Sequence, residues 1–283
     1  DWELIIIDDG STDDSLLIAE EYESSDPRIK VYQNPLNLGL AATMNRGVEI
    51  AAGDYIAVQE QDDMSVPSRL AKEVQILDAM PAVSLVSGIA EWLDDELQPT
   101  NYFPGILAHG GQYPWTHAQL FEYLYIEQCK IVNAGCMFRR SILEAWPKPF
   151  NELAKMSIDW EFFLRLARTH QVWGINEVVV RMRRGRAHHS LTKQKELQFR
   201  EARRCINEVY RDYKTATHIP VSRKLRRKAF SAELVIEARY WSYIDRVRSV
   251  ALLMYAFVLD PSNAQIWRTS QWITRRALAR FTS

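Results

Sequence analysis

Gly53-Asp54-Tyr55-Ile56-Ala57-Val58-Gln59-Glu60-Gln61-Asp62-Asp63 runs from an apolar stretch into three carboxylates within four residues. A strand interior does not hold such a cluster, because each buried ionised carboxylate costs several kcal/mol unless it is paired or bound to a cation. The expected place for it is where a parallel strand leaves the sheet, the end at which open α/β sheets bind ligands. Hard oxygen ligands there suit Mg²⁺ or Mn²⁺. A solvated acidic turn is the plainer alternative.

Upstream, Glu3-Leu4-Ile5-Ile6-Ile7-Asp8-Asp9-Gly10-Ser11-Thr12-Asp13 repeats the grammar: a β-branched run, then acids, then glycine and helix-starting residues. The apolar run reads as a central strand buried on both faces. Asp13 or Ser11 is placed to cap the helix that follows, whose Leu16, Leu17, Ala19 and Tyr22 have helical spacing. Val31-Tyr32 reads as the next strand, and a second helix runs from Leu40 to about Ala51, ended by Gly53. Strand–helix–strand–helix–strand at this spacing predicts an α/β unit with a parallel sheet. Both acidic clusters are then expected on one edge of one sheet.

These residues resemble a known family. Asp8-Asp9-Gly10-Ser11-Thr12-Asp13, Asn37-Leu38-Gly39-Leu40-Ala41-Ala42 with Asn45-Arg46-Gly47, Gly53 to Ala57, the acid cluster and Pro67-Ser68-Arg69-Leu70 look like the nucleotide-sugar half of family 2 glycosyltransferases. The resemblance continues through Met137-Phe138-Arg139-Arg140 and Asp159-Trp160-Glu161-Phe162-Phe163-Leu164-Arg165-Leu166, so it covers roughly residues 1–192. It implies a GT-A-like domain over 1–192, a central mostly parallel sheet flanked by helices, followed by a helical region over 193–283. Family members open with one strand more than this chain has before Asp8-Asp9. A first strand and helix are therefore expected to precede Asp1.

The resemblance also implies roles. Asp8 and Asp9 would contact the base and ribose of the donor, since acceptor-only carboxylates suit N–H and hydroxyl groups; capping the local turn is the alternative for Asp8. The family's acid motif aligns with Glu60-Gln61-Asp62, all three facing the donor. Asp62 would be the principal metal ligand and Glu60, with one methylene more than the usual Asp, a second. Asp159 would be the base that deprotonates the acceptor. Glu161 lies two residues on and, on a helix, cannot share its face. With Ile158 in place of the usual preceding acid, one like charge is removed and Asp159 is expected to titrate closer to an ordinary Asp. Beyond Val178-Val179-Val180, Arg183 would face the diphosphate, as arginine forks suit phosphate oxygens. His188 or His189 would complete the metal shell, His189 being the preferred ligand, or act as a lid contact; a solvated basic loop is the plainer alternative. Asn133, Gly135 and Cys136 fall in the expected acceptor-side loop without an assigned role.

Composition fits a folded enzyme: 283 residues, 47% hydrophobic, net charge −1. The charge is unevenly spread. Residues 1–180 carry 12 Lys+Arg against 28 Asp+Glu, and residues 181–283 carry 23 against 8. The basic end carries no nucleic-acid-binding signature, so peripheral contact with an anionic membrane surface is the expectation. Apolar and aromatic residues at helical spacing predict helices over Leu197–Tyr213, Leu225–Val247, Val250–Leu259 and about Asn263 to Arg280, with Asp260-Pro261 as a stop. The aromatic positions read as core in preference to a membrane anchor, and no apolar run reaches the ~20 residues that span a bilayer.

Cys129, Cys136 and Cys205 have no metal or disulfide spacing, so a cytoplasmic setting, peripheral to the inner membrane face, is expected. Absence of a Gln-x-x-Arg-Trp element argues against a processive synthase, and absence of a Gly-rich phosphate loop against a nucleotidyltransferase. The expected activity is inverting, non-processive, metal-dependent transfer from a nucleotide-sugar, a UDP-sugar first, to a glycan or lipid-linked acceptor in cell-surface glycan or glycolipid synthesis. The rival is a catalytically degenerate nucleotide-sugar-binding or scaffold domain of the same fold, supported by Glu60, Ile158, Met44 and Val58 at positions where relatives often carry other residues.

Overall fold

A computed structural model describes residues 1–104, 116–185 and 194–279, with side chains to residue 275. The chain divides into two compact units, Asp1–His117 with Cys129–Ser190, and Ala118–Gln128 with Leu191–Ser283.

In the first unit, Leu4–Asp8 (β1) and Ile29–Gln33 (β2) pair in parallel and are joined by the helix Ser15–Ser25 (α1). Asp13 accepts a hydrogen bond from the Ser15 N–H, 3.1 Å, at the start of α1. β1 is not buried on both faces as its composition predicts: Leu4 is exposed and Ile5, Ile6 and Ile7 are half-buried. The physical reason is that β1 has one ladder neighbour, β2, among the described residues. Of the expected apolar face of α1 only Ala19 is buried, while Leu17 and Tyr22 face solvent. Leu40–Ile50 (α2) follows, entered through Gly39 at φ +86°, a conformation that favours glycine.

The second sheet of this unit has six strands: Tyr55–Ala57 (β3), Asp63–Ser65 (β4), Val83–Leu93 (β5), Pro99–Phe103 (β6), Cys136–Arg139 (β7) and Gln171–Arg183 (β8). Their order is β3-β7-β5-β8-β4, with β6 also on β5. The α/β class is as expected, but the ladders are more mixed than "mostly parallel". β5–β8 is parallel, whereas β3–β7, β5–β7, β4–β8 and β5–β6 are antiparallel. Short connections explain part of this, since the five residues between β5 and β6 allow only a hairpin reversal. The two acid-bearing strands β1 and β3 consequently lie in different ladders, not on one sheet edge.

β5 is the buried centre. Leu85, Val86 and Ala90 of β5 are fully buried, as is Leu77 on the helix Arg69–Ala79 (α3), and Val86, Ala90 and Leu77 share a core with Val179 and Val180 of β8. β5 and β8 approach so closely at Gly88 that a Cβ there would stand 2.5 Å from Val179 Cγ1. A further helix, Ile158–Ala167 (α5), brings Trp160, Phe162, Phe163 and Leu164 into the interior.

The second unit is helical: His117–Glu127 (α4, from Ala118 onward), Lys195–Tyr213 (α6), Arg223–Trp241 (α7), Arg246–Leu259 (α8) and Ala264–Ala279 (α9). The single helix expected over Leu225–Val247 is broken at 242–245. Asp245 caps the new helix by accepting from the Arg248 N–H, 3.0 Å. Leu234, Val235, Ala238, Leu253, Ala256 and Ile266 form its core. The aromatic stripe does not all join that core: Tyr243, Tyr255 and Trp267 are more than half exposed.

One buried cation organises the sheet of the first unit. Arg69, at the start of α3, donates through Nη2 to the carbonyls of Val58, 2.8 Å, and Cys136, 2.9 Å. Its Nη1 reaches Ser65 Oγ at 2.9 Å and Gln59 Oε1 at 3.3 Å, and Nε reaches the fully buried Glu73 carboxylate at 3.2 Å. Arg69→Ala would leave two main-chain carbonyls and Glu73, whose carboxyl burial pushes up to about 7 even beside the arginine, without their buried partner. The expected cost is about 3–5 kcal/mol by urea unfolding, with the double change Arg69→Met, Glu73→Leu recovering more than half of it.

Candidate active site

The acidic turn is built by the ends of β3 and β4. Val58 extends the β3–β7 ladder by donating to the Cys136 carbonyl, 3.0 Å, after which the chain reverses and the Asp63 N–H bonds the Glu60 carbonyl, 3.2 Å. The Gln59 side chain closes the turn, its Nε2 donating to the carbonyls of Glu60, 2.8 Å, and Asp63, 2.9 Å. β4 is pinned to β8 with Asp63 opposite Met182, so the end of β8 lies beside the turn. There Arg183 donates from Nε to the Asp62 main-chain carbonyl, 3.0 Å.

Glu60, Asp62 and Asp63 converge, offering one carboxylate oxygen each within 4.8 Å of one another. The group differs from the expected one. Asp63, given no ligand role by the sequence, belongs to it, and Gln61 in the same turn is exposed. Asp63 is buried and neither of its carboxylate oxygens has a hydrogen-bond partner. Burial, followed by the negative charge of Glu60, pushes its carboxyl up to about 7, against the pull of Arg184 and of the Arg183 main-chain N–H, which approaches without forming a well-aligned hydrogen bond. Burial also raises Glu60, reinforced by Asp159 and Asp62 and opposed by the Asn133 side chain and by Arg184. A buried, unpartnered carboxylate beside two others is the electrostatic situation that a divalent cation relieves, and three oxygens suit Mg²⁺ or Mn²⁺. The residues present therefore fit such an ion.

Asn133, on a 3-10 turn at Asn133–Gly135, donates from Nδ2 to Glu60 Oε1, 3.1 Å. Its own Oδ1 is buried without a partner. Sequence alone gave this residue no role. Arg184 was likewise not singled out, yet its charge acts on both Glu60 and Asp63.

Asp159 sits in the first turn of α5. Its Oδ2 accepts a hydrogen bond from Cys129 Sγ at 3.4 Å. Asp159 does not titrate like an ordinary Asp: burial raises it, and the Trp160 N–H and the Cys129 thiol offset only part of that. Burial, then the Asp159 charge, raises the Cys129 thiol well above its ordinary value, so it stays protonated and donates. Glu161 is turned away and held by Asn151 Nδ2 at 2.9 and 3.0 Å.

Asp8 and Asp9 serve the β1–β2 region. Asp8 accepts from the Gly10 and Ser11 N–H groups at 3.2–3.3 Å and is lowered chiefly by the Ser11 hydroxyl. Asp9 accepts from Asn34 Nδ2, 2.7 Å, and the N–H groups of Leu38, 2.8 Å, and Gly39, 2.9 Å. Burial alone would raise Asp9, but these bonds outweigh it and leave it lowered. His188 and His189 lie outside the described residues.

Asp63 supplies a test without any substrate. Unfolded, its carboxyl loses its proton near 3.8; folded, near 7. The metal-free fold thus retains a proton that the unfolded chain has released, and its stability falls as pH rises from about 4 to 7. In EDTA-treated protein, Asp63→Asn should be about 1–3 kcal/mol more stable than the parent at pH 7, the gap closing toward pH 4, as read from melting curves.

Residues 1–146 match the family model "Glycosyl transferase family 2". The putative glycosyltransferase EpsE of Bacillus subtilis (strain 168) is 40% identical over 127 residues, 42% of this chain and 45% of that protein. The chain thus matches about half the length of that relative. Two solved structures share the fold. S. aureus TarS 1-349 in complex with UDP-GlcNAc has a TM-score of 0.64 at 13% identity, covering 98% of this chain and 82% of that one. The mannosyltransferase PcManGT of Pyrobaculum calidifontis, with GDP-Man and Mn²⁺, has a TM-score of 0.57 at 15% identity, covering 97% and 74%. With the family model matched over half of its length, and with the acidic turn built as described, the chain belongs to glycosyltransferase family 2.

Proposed function

We propose that this chain transfers a sugar from a nucleotide-diphosphate donor to an acceptor hydroxyl, with inversion at the anomeric carbon and with Mn²⁺ or Mg²⁺ as cofactor. The observation that carries the reading is the convergence of Glu60, Asp62 and the orphaned Asp63 at one turn, with the half-buried Asp159 close enough for its charge to raise Glu60. The donors in TarS and PcManGT, UDP-GlcNAc and GDP-Man, and the Mn²⁺ of the latter support a nucleotide-sugar and a divalent cation here.

Glu60, Asp62 and Asp63 would hold the cation, which when bound offsets the charge growing on the departing diphosphate. Asn133 keeps the Glu60 carboxylate aimed at the cluster. Arg183 and Arg184 add positive charge beside the same turn, which suits diphosphate oxygens. Asp159 takes the proton from the acceptor hydroxyl as its oxygen forms the bond to the anomeric carbon and the bond to the diphosphate breaks. A carboxylate raised by burial is a stronger base than an ordinary Asp. Asp8 and Asp9, held at the carboxyl end of β1, are assigned to the base and ribose. A glycan or lipid-linked acceptor in cell-surface glycan synthesis, at the inner membrane face, completes the proposal. Residues 1–192 are the proposed catalytic domain and 193–283 its helical region.

The experiment is a melting series with Mn²⁺ plus UDP, GDP, CDP or dTDP. A ligand at about 100 times its Kd adds roughly 2.7 kcal/mol, or about 5–10 °C for a domain of this size. One nucleotide should give that shift, and Asp62→Ala should remove it; no shift with any nucleotide overturns the donor site. Asp159→Asn should keep the shift and lose about 10²–10⁴-fold in turnover. A parent that shifts with nucleotide yet turns over no sugar would instead be the degenerate binding domain.

A further inference from the structure

The helical unit carries an outward face that its own fold does not cover. Helix α8 reads Arg246-Val-Arg-Ser-Val-Ala-Leu-Leu-Met-Tyr-Ala-Phe-Val-Leu259 and is apolar almost all round. Ser249, Leu253 and Ala256 face the unit's interior. On the opposite side stand Val247, 82% exposed, Val250, 50%, Met254, 67%, and Val258, 64%. Their spacing of three, four and four residues makes one stripe, about 16 Å long at helical rise. A helix apolar on every side is ordinarily enclosed, so something is expected to cover this stripe.

Aromatic pairs flank it at both ends. Tyr243 packs against Trp272 of α9 with ring centroids 5.5 Å apart, and Phe257 against Trp267 at 6.0 Å. Trp267 is 58% exposed. Tyr and Trp, with an apolar body and a polar tip, suit a boundary between hydrocarbon and water.

The rim is cationic. Arg246 and Arg268 are exposed, as are Arg275 and Arg227, whose Nη2 donates to the Val258 carbonyl at the end of the stripe, 2.9 Å. Neither α8 nor α9 contains an Asp or Glu. A second copy of the chain meeting this face symmetrically would bring arginine rim against arginine rim, with only the capping Asp245 and Asp260 at the ends of α8 to offset them. Anionic headgroups complement both features at once. At 14 residues α8 is too short to cross a bilayer, and no described helix is long and apolar enough to do so. A helix of this kind lies in the interface plane.

We propose that the face formed by Val247, Val250, Met254 and Val258, rimmed by Arg227, Arg246 and Arg268, docks the protein on an anionic lipid bilayer. The inference rests on the helical unit alone and is independent of the donor chemistry.

The test is cosedimentation of the full chain with vesicles of phosphatidylcholine alone or mixed equally with phosphatidylglycerol. Binding is expected to the anionic vesicles only, weakening as salt rises. Val250→Glu with Met254→Glu should abolish it while leaving the melting midpoint unchanged, since both side chains are half exposed or more. Arg246→Glu with Arg268→Glu should weaken it at least about twentyfold, each basic residue at such a surface being worth about fivefold. Binding to neither vesicle, or binding that survives both double variants, would overturn the proposal. So would a dimer in light scattering that Val250→Glu with Met254→Glu splits, which would make the face a contact between copies.

Discussion

The guanidinium of Arg69 is the constraint from which the acidic turn follows. It is almost fully buried, and so is Glu73, the carboxylate that pairs with it. Four further acceptors belong to chain segments far apart in sequence: Val58 and Gln59 beyond β3, Ser65 on β4 and Cys136 on β7. Val58 and Gln59 lead into Glu60, and Ser65 follows Asp63 by two residues. The cation therefore grips both shoulders of a turn that carries three carboxyl groups. A buried ion pair is a poor source of net stability, because desolvation consumes most of the attraction. Its worth here is geometric: a planar fork with fixed donor directions sets where the two shoulders stand.

The same turn holds an unresolved electrostatic conflict. Arg69 satisfies carbonyl and hydroxyl oxygens around the acids and leaves the acids themselves alone. Asn133 satisfies one oxygen of Glu60, and Arg183 spends its Nε bond on a main-chain carbonyl. Asp63 is left with two buried oxygens and no partner. Ordinary folds do not accept that arrangement, because each such oxygen forgoes its hydration. Where one does, the missing partner is a reasonable thing to look for outside the chain.

The class of the fold was legible from residues 3–13 and 53–63, because β-branched runs ending in acids and glycine have few other uses. The burial of β1 was not. A run of isoleucines says that a strand is apolar, while the number of its neighbours is a property of the whole sheet. The sequence marks Asp63 as one of the three acids of the cluster but gives it no ligand role, for a related reason. Asp62 lies in the turn and Asp63 opens β4, and only the pairing of β4 with β8 shows that the second of the two is the buried one. The break between α7 and α8 was in principle readable, since Asp245 precedes Arg248 by three residues in an N-capping pattern. The strong apolar period on either side masked it. Likewise, aromatic spacing established helices but not which of their faces the unit covers.

Asp159 shows how a local argument can misjudge a property even when it finds the right residue. Replacing a preceding acid by Ile158 does remove one like charge, and taken alone that lowers a carboxyl toward its ordinary value. The environment supplies a larger effect of the opposite sign, because α5 holds the half-buried Asp159 next to the buried Ile158 and Trp160 and against Cys129, where lost hydration raises its carboxyl. The protonated thiol of Cys129 can engage only one carboxylate oxygen, while Glu161 is tied to Asn151. Charge near a carboxyl acts through distance and screening, whereas burial acts on its whole hydration shell. When the two disagree at a buried position, burial decides, and a base with raised affinity for a proton results without a second acid beside it in the sequence.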